Sequence, residues 1–153
     1  LYYFALGNEL TLGKFNMYLD FMYSNDAIDR SGIVTSIVGQ YNGHNVMDAA
    51  YFSVVTKLNY RFADKWNVFV KGMYETASTT HGYPLHYPAI EEGKYRTSLG
   101  YLGGIEYYPM ESNLHFFLTY VGRHYMYEEI AVGHKDYSTN RVSLGFIYQL
   151  PMF

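Results

Sequence analysis

Nine charged residues share one phase of a two-residue alternation, and apolar or aromatic residues commonly stand beside them in the chain. They are Glu9, Asp20, Lys57, Arg61, Lys71, Glu75, Glu106, Arg123 and Arg141. Acidic and basic side chains on one face of a wetted wall act on passing ions and polar solutes through their electric field. Five of the nine are basic and four are acidic. This balance is too mixed for the strong anion selectivity that a ring of like charges produces.

Glu75 follows Lys71 by four residues, which places both on one face of a strand without making them direct neighbours. Two interpretations are open. Opposed charges across a lumen would create a transverse field that orients polar solutes. Alternatively, ion pairs would simply allow charge to lie in a partly buried wall.

Metal binding and catalysis find less support in the sequence. The predicted loops carry histidines and carboxylates at spacings that match no metal-ligand motif, namely His44, His81, His86, His134, Glu91, Glu92, Glu128, Glu129 and Asp136. Three serines could supply a nucleophile, but nothing in the sequence pairs them with a general base. They are Ser24, Ser36 and Ser78. Cysteine is absent. We therefore expect no metal, no cofactor and no enzymatic activity.

The composition indicates a β protein with an unusual surface. The chain has 153 residues, the length of one domain. Only 16% of them are charged, against roughly 25% in soluble domains, while 20% are aromatic. Mean hydropathy is only −0.16, and no apolar run approaches the ~20 residues of a transmembrane helix. The net charge of −3 gives no basis for nucleic-acid binding.

Seven segments are predicted as strands, because apolar and polar residues alternate in them and turn residues flank them. They lie near residues 2–12, 15–25, 49–63, 66–78, 95–109, 113–128 and 140–152. Their connections alternate strictly between short (13–15, 63–66, 109–113) and long (26–48, 79–94, 129–139). In an antiparallel meander all the short turns then lie at one end, as in transmembrane β-barrels.

Alternation alone does not say which face is outside. A soluble lipocalin-like barrel would turn the apolar face inward, whereas a membrane barrel would turn it toward lipid. Three observations favour the membrane barrel: the loop asymmetry, a polar phase rich in Gly, Ser, Thr and Tyr, and aromatic residues near strand ends. The last group is Tyr2, Tyr3, Tyr60, Trp66, Tyr107 and Tyr108.

Seven is an odd number, whereas bacterial single-chain barrels have an even number of strands with both termini periplasmic. The strand near 2–12 would then start at the external end. We therefore expect residues 1–153 to be the C-terminal half of one larger barrel whose N-terminal strands are missing, or a chain to which other chains add strands. A porin of ~16–18 strands has the size that leaves an aqueous channel.

Three stretches resemble one family. They are "FNMYLDFMYSNDAIDRSGIV", "LGGIEYYPMESNLHFFLTYVGRHY" and "RVSLGFIYQLPMF". They resemble the porin O/P family of phosphate-selective porins, in its Bacteroidota form. The resemblance implies an all-β, antiparallel outer-membrane barrel of a Gram-negative bacterium, often a trimer, that passes anions or other small solutes. The arginine ladder and lysine cluster of the phosphate-selective members do not carry over to this chain.

The leading hypothesis is therefore a porin for passive diffusion of small polar or anionic solutes. The alternative is a structural barrel subunit of a larger outer-membrane complex with no transport of its own. Expected partners are outer-membrane lipid, small solutes, and either further copies in a trimer or other outer-membrane proteins. The apolar loop stretch "GIVTSIVGQY" is open to three interpretations: a constriction, a contact with a partner, or an extension of the strands.

The C-terminal Phe153 carries a separate prediction. The resemblance implies that it is the aromatic end residue that the insertion machinery recognises. The apolar phase of the last strand runs on even positions, however, which would turn Phe153 toward the lumen. We predict a bulge at Pro151 that shifts the phase by one and returns Phe153 to the lipid face.

Overall fold

Seven long strands form one antiparallel sheet in the computed structural model. The structure describes residues 2–29, 40–41, 44–45, 47–80, 82, 91–109, 113–131 and 134–149. The sheet contains β1 (Tyr2–Leu12), β2 (Phe15–Asp29), β5 (Met47–Ala63), β6 (Trp66–Thr79), β7 (Gly93–Tyr107), β8 (Leu114–Tyr127) and β9 (Tyr137–Tyr148). Each of these strands pairs with the next long strand along the chain. Two short strands, β3 (Gln40–Tyr41) and β4 (His44–Asn45), pair separately.

The all-β prediction and the seven predicted strands are confirmed, with changes at the ends that carry the long connections. β2 continues to Asp29, which still pairs with Met47 of β5. β9 begins at Tyr137, opposite Tyr125 of β8. Hydrogen bonds between backbones extend a ladder regardless of side-chain alternation. The apolar pattern therefore missed the loop-end residues of these strands.

The short connections join strands at one end of the sheet, which we call the short-turn end. Gly13 opens the turn between β1 and β2 with a φ of +59°. This left-handed conformation, favourable mainly for glycine, suits a two-residue hairpin turn. Asp64 and Lys65 form the turn between β5 and β6. The opposite end is called the loop end.

Very little of this sheet is buried. The buried apolar side chains among the described residues are Ala49, Ala77, Tyr95 and Ala131, all at the loop end. In contrast, Leu144 in the middle of β9 is 80% exposed. A single layer has no second layer to cover its apolar side chains. The sheet is not closed, because β1 and β9 each pair on one side only within the described residues.

Two irregularities of the ladder affect the charged wall. The first lies between Tyr60 and Ala63 of β5, where Arg61 stands. The second lies at the loop end. Ala77 of β6 pairs with Arg96, but the next residue, Ser78, pairs with Lys94. Tyr95 is therefore an extra residue in β7, as in a β-bulge. Its side chain is fully buried with Ala49 and Ala77. The bulge predicted at Pro151 and the orientation predicted for Phe153 lie outside the described residues.

Candidate pore-lining wall

The nine predicted charges all lie on one face of the sheet, which we call the charged face. The register shows this directly for four neighbouring strands, since Glu9 pairs with Tyr18, Tyr18 with Lys57, and Lys57 with Lys71. The other predicted residues share this phase on their own strands, namely Asp20, Arg61, Glu75, Glu106, Arg123 and Arg141. That this face lines a pore stays a prediction.

The opposite face, the apolar face, carries large exposed side chains bordered by aromatic residues. At the short-turn end, Phe15 stacks on Tyr60 with ring centroids 4.3 Å apart, and Trp66 packs against Tyr107 at 4.6 Å. Toward the loop end the border consists of exposed tyrosines: Tyr23, Tyr74, Tyr101 and Tyr120. Aromatic rings that border an apolar band at both ends are typical of membrane interfaces.

The tyrosine border crosses the hydrogen-bonded rows diagonally. Tyr74 of β6 pairs with Leu99 of β7, but the border residue of β7 is Tyr101, two positions closer to the short-turn end. On β8 the border residue is Tyr120, which pairs with Gly103, two positions further again. The border of exposed tyrosines on β6, β7 and β8 therefore runs at an angle to the hydrogen-bonded rows.

The two aromatic borders set the height of the apolar band. Trp66 and Tyr74 lie eight positions apart on β6, or about 26 Å along a strand. A strand tilt of about 40° reduces this distance to about 20 Å, close to the ~25 Å band of outer-membrane barrels. Above the border the apolar face becomes polar, and Asn140 accepts hydrogen bonds from the hydroxyls of Tyr101 at 3.3 Å and Tyr120 at 2.8 Å.

Tyr3 and Tyr108 do not belong to either aromatic border. Tyr3 lies on the charged face, where its hydroxyl contacts the sulfur of Met22 at 3.4 Å. Tyr108 shares the phase of Glu106 and also faces that side. The sequence pattern grouped both with the interfacial aromatics because they stand near strand ends. Phase, rather than distance from the end, decides which face a side chain occupies.

The most highly connected group on the charged face is the Glu75 cluster: Glu75, Arg96, Ser98 and Arg123. Oε1 of Glu75 accepts hydrogen bonds from Nη2 of Arg96 at 3.3 Å and Nη2 of Arg123 at 3.4 Å. The Ser98 hydroxyl donates to the same oxygen at 3.3 Å and accepts from Arg123 at 3.3 Å. Two cations and one carboxylate leave this cluster with an excess of one positive charge.

Tyrosine rings flank the Glu75 cluster. The guanidinium of Arg123 lies 4.9 Å from the ring centre of Tyr125, and that of Arg96 lies 5.8 Å from the ring centre of Tyr51. Both distances are within the range of cation–π attraction. Glu75 and Arg96 also line an open concavity of 390 Å³ toward the loop end, which Tyr3 borders on the β1 side.

Nearer the middle of the sheet, two lysines stand directly opposite each other. Lys57 of β5 pairs with Lys71 of β6, and Nζ of Lys57 lies 5.5 Å from the ring centre of Phe69. Like charges in directly opposed positions destabilise a sheet. The nearest acid in the same row, Glu9, is two strands away and accepts a hydrogen bond from Asn16 at 2.7 Å.

At the short-turn end, Glu106 is held by neutral donors. It accepts hydrogen bonds from the side-chain amide of Asn67 at 2.9 Å and from the Tyr108 hydroxyl at 3.0 Å. Partial burial raises the pKa of Tyr108, and its bond to the Glu106 carboxylate adds to this effect. Arg61 lines the same concavity as Asn67 and Tyr108.

The charged face is less polar than the alternation pattern predicts. Phe69, Leu102, Phe117 and Val121 all lie in its phase. Two of these rings lie over paired glycines, Phe69 over Gly104 and Phe117 over Gly145. Rings that lie flat on glycine keep their bulk close to the wall. Large apolar side chains can therefore share this face without projecting far from it.

Two residues of the Glu75 cluster were not among the predicted pore-lining residues. Arg96 and Ser98 lie in the charged phase of β7, at even spacing before Gly100, Gly104 and Glu106. This spacing would have identified them. Of the two interpretations offered for Glu75, the structure supports ion pairs, but with Arg96 and Arg123 rather than with Lys71.

The candidate metal and catalytic residues do not converge in the described part of the chain. Within it, no group of three or more His, Asp or Glu residues could hold a metal ion. His81, His86 and Ser36 lie outside the described residues, and His134 packs against the ring of Tyr127 at 5.1 Å. A His–Ser contact that was not predicted, His124 to Ser138 at 2.6 Å, lies on the exposed apolar-face side near the loop end.

Comparison with known proteins gives one result. A family model described as phosphate-selective porin O and P matches residues 2–150. A search of curated proteins and a search of solved structures each found no match. Among the described residues, no helix is long and apolar enough to cross a membrane.

Proposed function

Because this chain belongs to the family of phosphate-selective porins O and P, we propose that its sheet is part of a water-filled channel in the outer membrane of a Gram-negative bacterium. Small polar or anionic solutes diffuse through this channel passively. The charged face is its lining, and the apolar face contacts lipid.

The observation that carries this proposal is the chemical difference between the two faces of one uncovered sheet. Side chains such as Leu144 and Val70 are 80% and 53% exposed and border no second layer. Their exposure in water would be costly, whereas hydrocarbon accommodates them. The opposite face carries the charges, which need water or ionic partners. A membrane on one side and a wet lumen on the other meet both requirements.

The charge balance supports weak rather than strong anion preference. Arg96 and the nine predicted charges together give the charged face six basic and four acidic residues. The directly opposed Lys57 and Lys71 provide the most concentrated positive charge. Glu9, Asp20, Glu75 and Glu106 are distributed among these cations. Small anions are therefore favoured modestly over cations, with no continuous ladder of arginines.

Closure of the barrel is part of the same proposal. Lipid offers no hydrogen bonds to a free sheet edge, so β1 and β9 need further strands. We propose that residues 1–153 form the C-terminal half of a barrel of ~16–18 strands, assembled as a homotrimer in a bacterium of the Bacteroidota type.

Planar-bilayer recording of the full-length protein tests the channel. The expected result is stepwise conductance that grows with salt concentration and a small reversal potential of anion-selective sign in a KCl gradient. A barrel that inserts in bilayers but does not conduct would contradict the proposal. If such a barrel also co-purified with other outer-membrane proteins at fixed stoichiometry, it would be a structural subunit of a larger complex.

A further inference from the structure

We infer that Glu75 is the residue that determines anion selectivity at the loop end of this wall. It occupies the guanidinium groups of Arg96 and Arg123, so that neither binds a passing anion strongly. This inference rests on the proposed channel function. The Glu75 carboxylate keeps the wall weakly selective, and its loss would make the wall bind anions.

The Glu75 carboxylate is the acceptor that the other three residues of the cluster share. A single oxygen, Oε1 of Glu75, accepts from both arginines and from Ser98. Its side chain is only 19% exposed, and that of Arg96 only 14%. An anion from the lumen would thus have to compete with an ion already in place. Attraction between opposite charges is stronger in such a partly buried site than in bulk water.

The two arginines do not depend on Glu75 alone for their positions. Arg123 also donates to the Ser98 hydroxyl at 3.3 Å and lies over the ring of Tyr125. Arg96 lies close to the rings of Tyr51 and Tyr95, at 5.8 Å and 6.0 Å. Replacement of Glu75 by Gln should therefore leave two guanidinium groups close together and facing the lumen.

Arg123 also has a hydrogen-bond donor that no described residue uses. Nε of Arg123 is buried and has no hydrogen-bond partner in the part of the chain that the structure describes. The cluster already has one positive charge in excess, and loss of the Glu75 charge would raise the excess to two. Two guanidinium groups, of which that of Arg96 lines the open concavity, are suited to bind a small oxyanion, because their donor geometry matches its oxygens.

Glu106 provides a matched control on the same face. It is a carboxylate on the neighbouring strand β7, but its bonds come from neutral groups, Asn67 at 2.9 Å and Tyr108 at 3.0 Å. Replacement of Glu106 by Gln removes the same charge from the wall without freeing an arginine. The comparison separates the effect of net charge from the effect of exposed guanidinium groups.

The experiment uses the full-length protein in planar bilayers, with inorganic phosphate as the probe. In Glu75→Gln, we expect the chloride-to-potassium permeability ratio to rise about threefold, the change produced by about half a kT of local potential, because the same potential attracts chloride and repels potassium. Millimolar phosphate should also reduce the chloride current. Glu106→Gln should raise the ratio less and show no phosphate effect. In the double variant Glu75→Gln/Arg123→Gln, the phosphate effect should disappear.

Glu75→Asp is the second variant if Glu75→Gln does not fold. It keeps the charge but withdraws it from the guanidinium groups, so we expect an unchanged permeability ratio with a weaker phosphate effect. The inference is overturned if wild-type channels conduct and neither Glu75 variant responds to phosphate more than Glu106→Gln does. Absence of conductance in the wild type would instead overturn the proposed function, and the inference with it.

Discussion

The ring of Tyr101 on β7 lies over Gly122, its directly paired neighbour on β8. A Cβ atom at position 122 would overlap the Tyr101 ring. The same arrangement recurs on the charged face, where a Cβ at Gly145 would come within 2.6 Å of the Phe117 ring. A ring packed over a paired glycine covers exposed backbone and holds the two strands in register. This sheet has no second layer, so such contacts between a ring and a paired glycine replace part of a conventional core.

Gly122→Ala is therefore expected to destabilise the barrel. The added methyl group must displace the Tyr101 ring, and overpacking of this kind costs about 1–3 kcal/mol. Urea unfolding of the protein in detergent, followed by the heat-dependent shift of its gel mobility, measures the change. Gly103→Ala is the control on the neighbouring strand, because nothing lies within 4 Å of the Cβ position there. Equal effects of both substitutions would argue against a stabilising contact between Tyr101 and Gly122.

Leu144→Arg tests the assignment of the apolar face. Leu144 is 80% exposed, so a charge at this position would be harmless if the face met water. On a lipid-facing surface near the middle of the bilayer, an arginine costs about 2–4 kcal/mol. We expect much less folded protein after refolding into lipid vesicles. Ser143→Arg, one residue earlier on the charged face, should refold like the wild type.

Accessibility to thiol reagents gives an independent test, since the chain contains no cysteine. Thr119→Cys lies on the charged face and Leu118→Cys on the apolar face of the same strand. A bulky, membrane-impermeant maleimide should label position 119 in outer-membrane vesicles and leave position 118 unlabelled. Equal labelling of both positions by the water-soluble reagent would contradict the two-sided wall.

The Lys57–Lys71 pair links stability to function. Lys71→Glu would place opposite charges at directly opposed positions, which should stabilise the β5–β6 pairing by a few tenths of a kcal/mol. The same change should lower the chloride-to-potassium permeability ratio severalfold, because it removes the densest positive charge from the wall. Lys65→Glu, in the turn between β5 and β6, should change the ratio little. Reversal potentials in a KCl gradient provide the measurement.

Most of the fold could be predicted from the sequence because strand side chains alternate between two faces. Glu9, Lys57 and Arg141 stand far apart in the chain, yet a two-residue period was sufficient to assign them to one face. Alternation could not predict the loop-end extensions, such as residues 27–29 of β2, because backbone pairing there continues without an apolar pattern. Nearness to a strand end assigned Tyr108 to an interfacial border, although its phase turns it toward the face of Glu106.

The sequence by itself determined that this chain forms two-faced strands, and which charges share a face, since both follow from the local geometry of an extended backbone. Only the tertiary structure decided which of those charges meet. Glu75 has a lysine four residues away in the chain, yet it pairs with Arg96 and Arg123 across two strand boundaries. That pairing depends on register, which turn lengths and the irregularity at Tyr95 set together. Register is a relationship between strands, and it decides whether a charge on the wall is exposed to solutes or already paired.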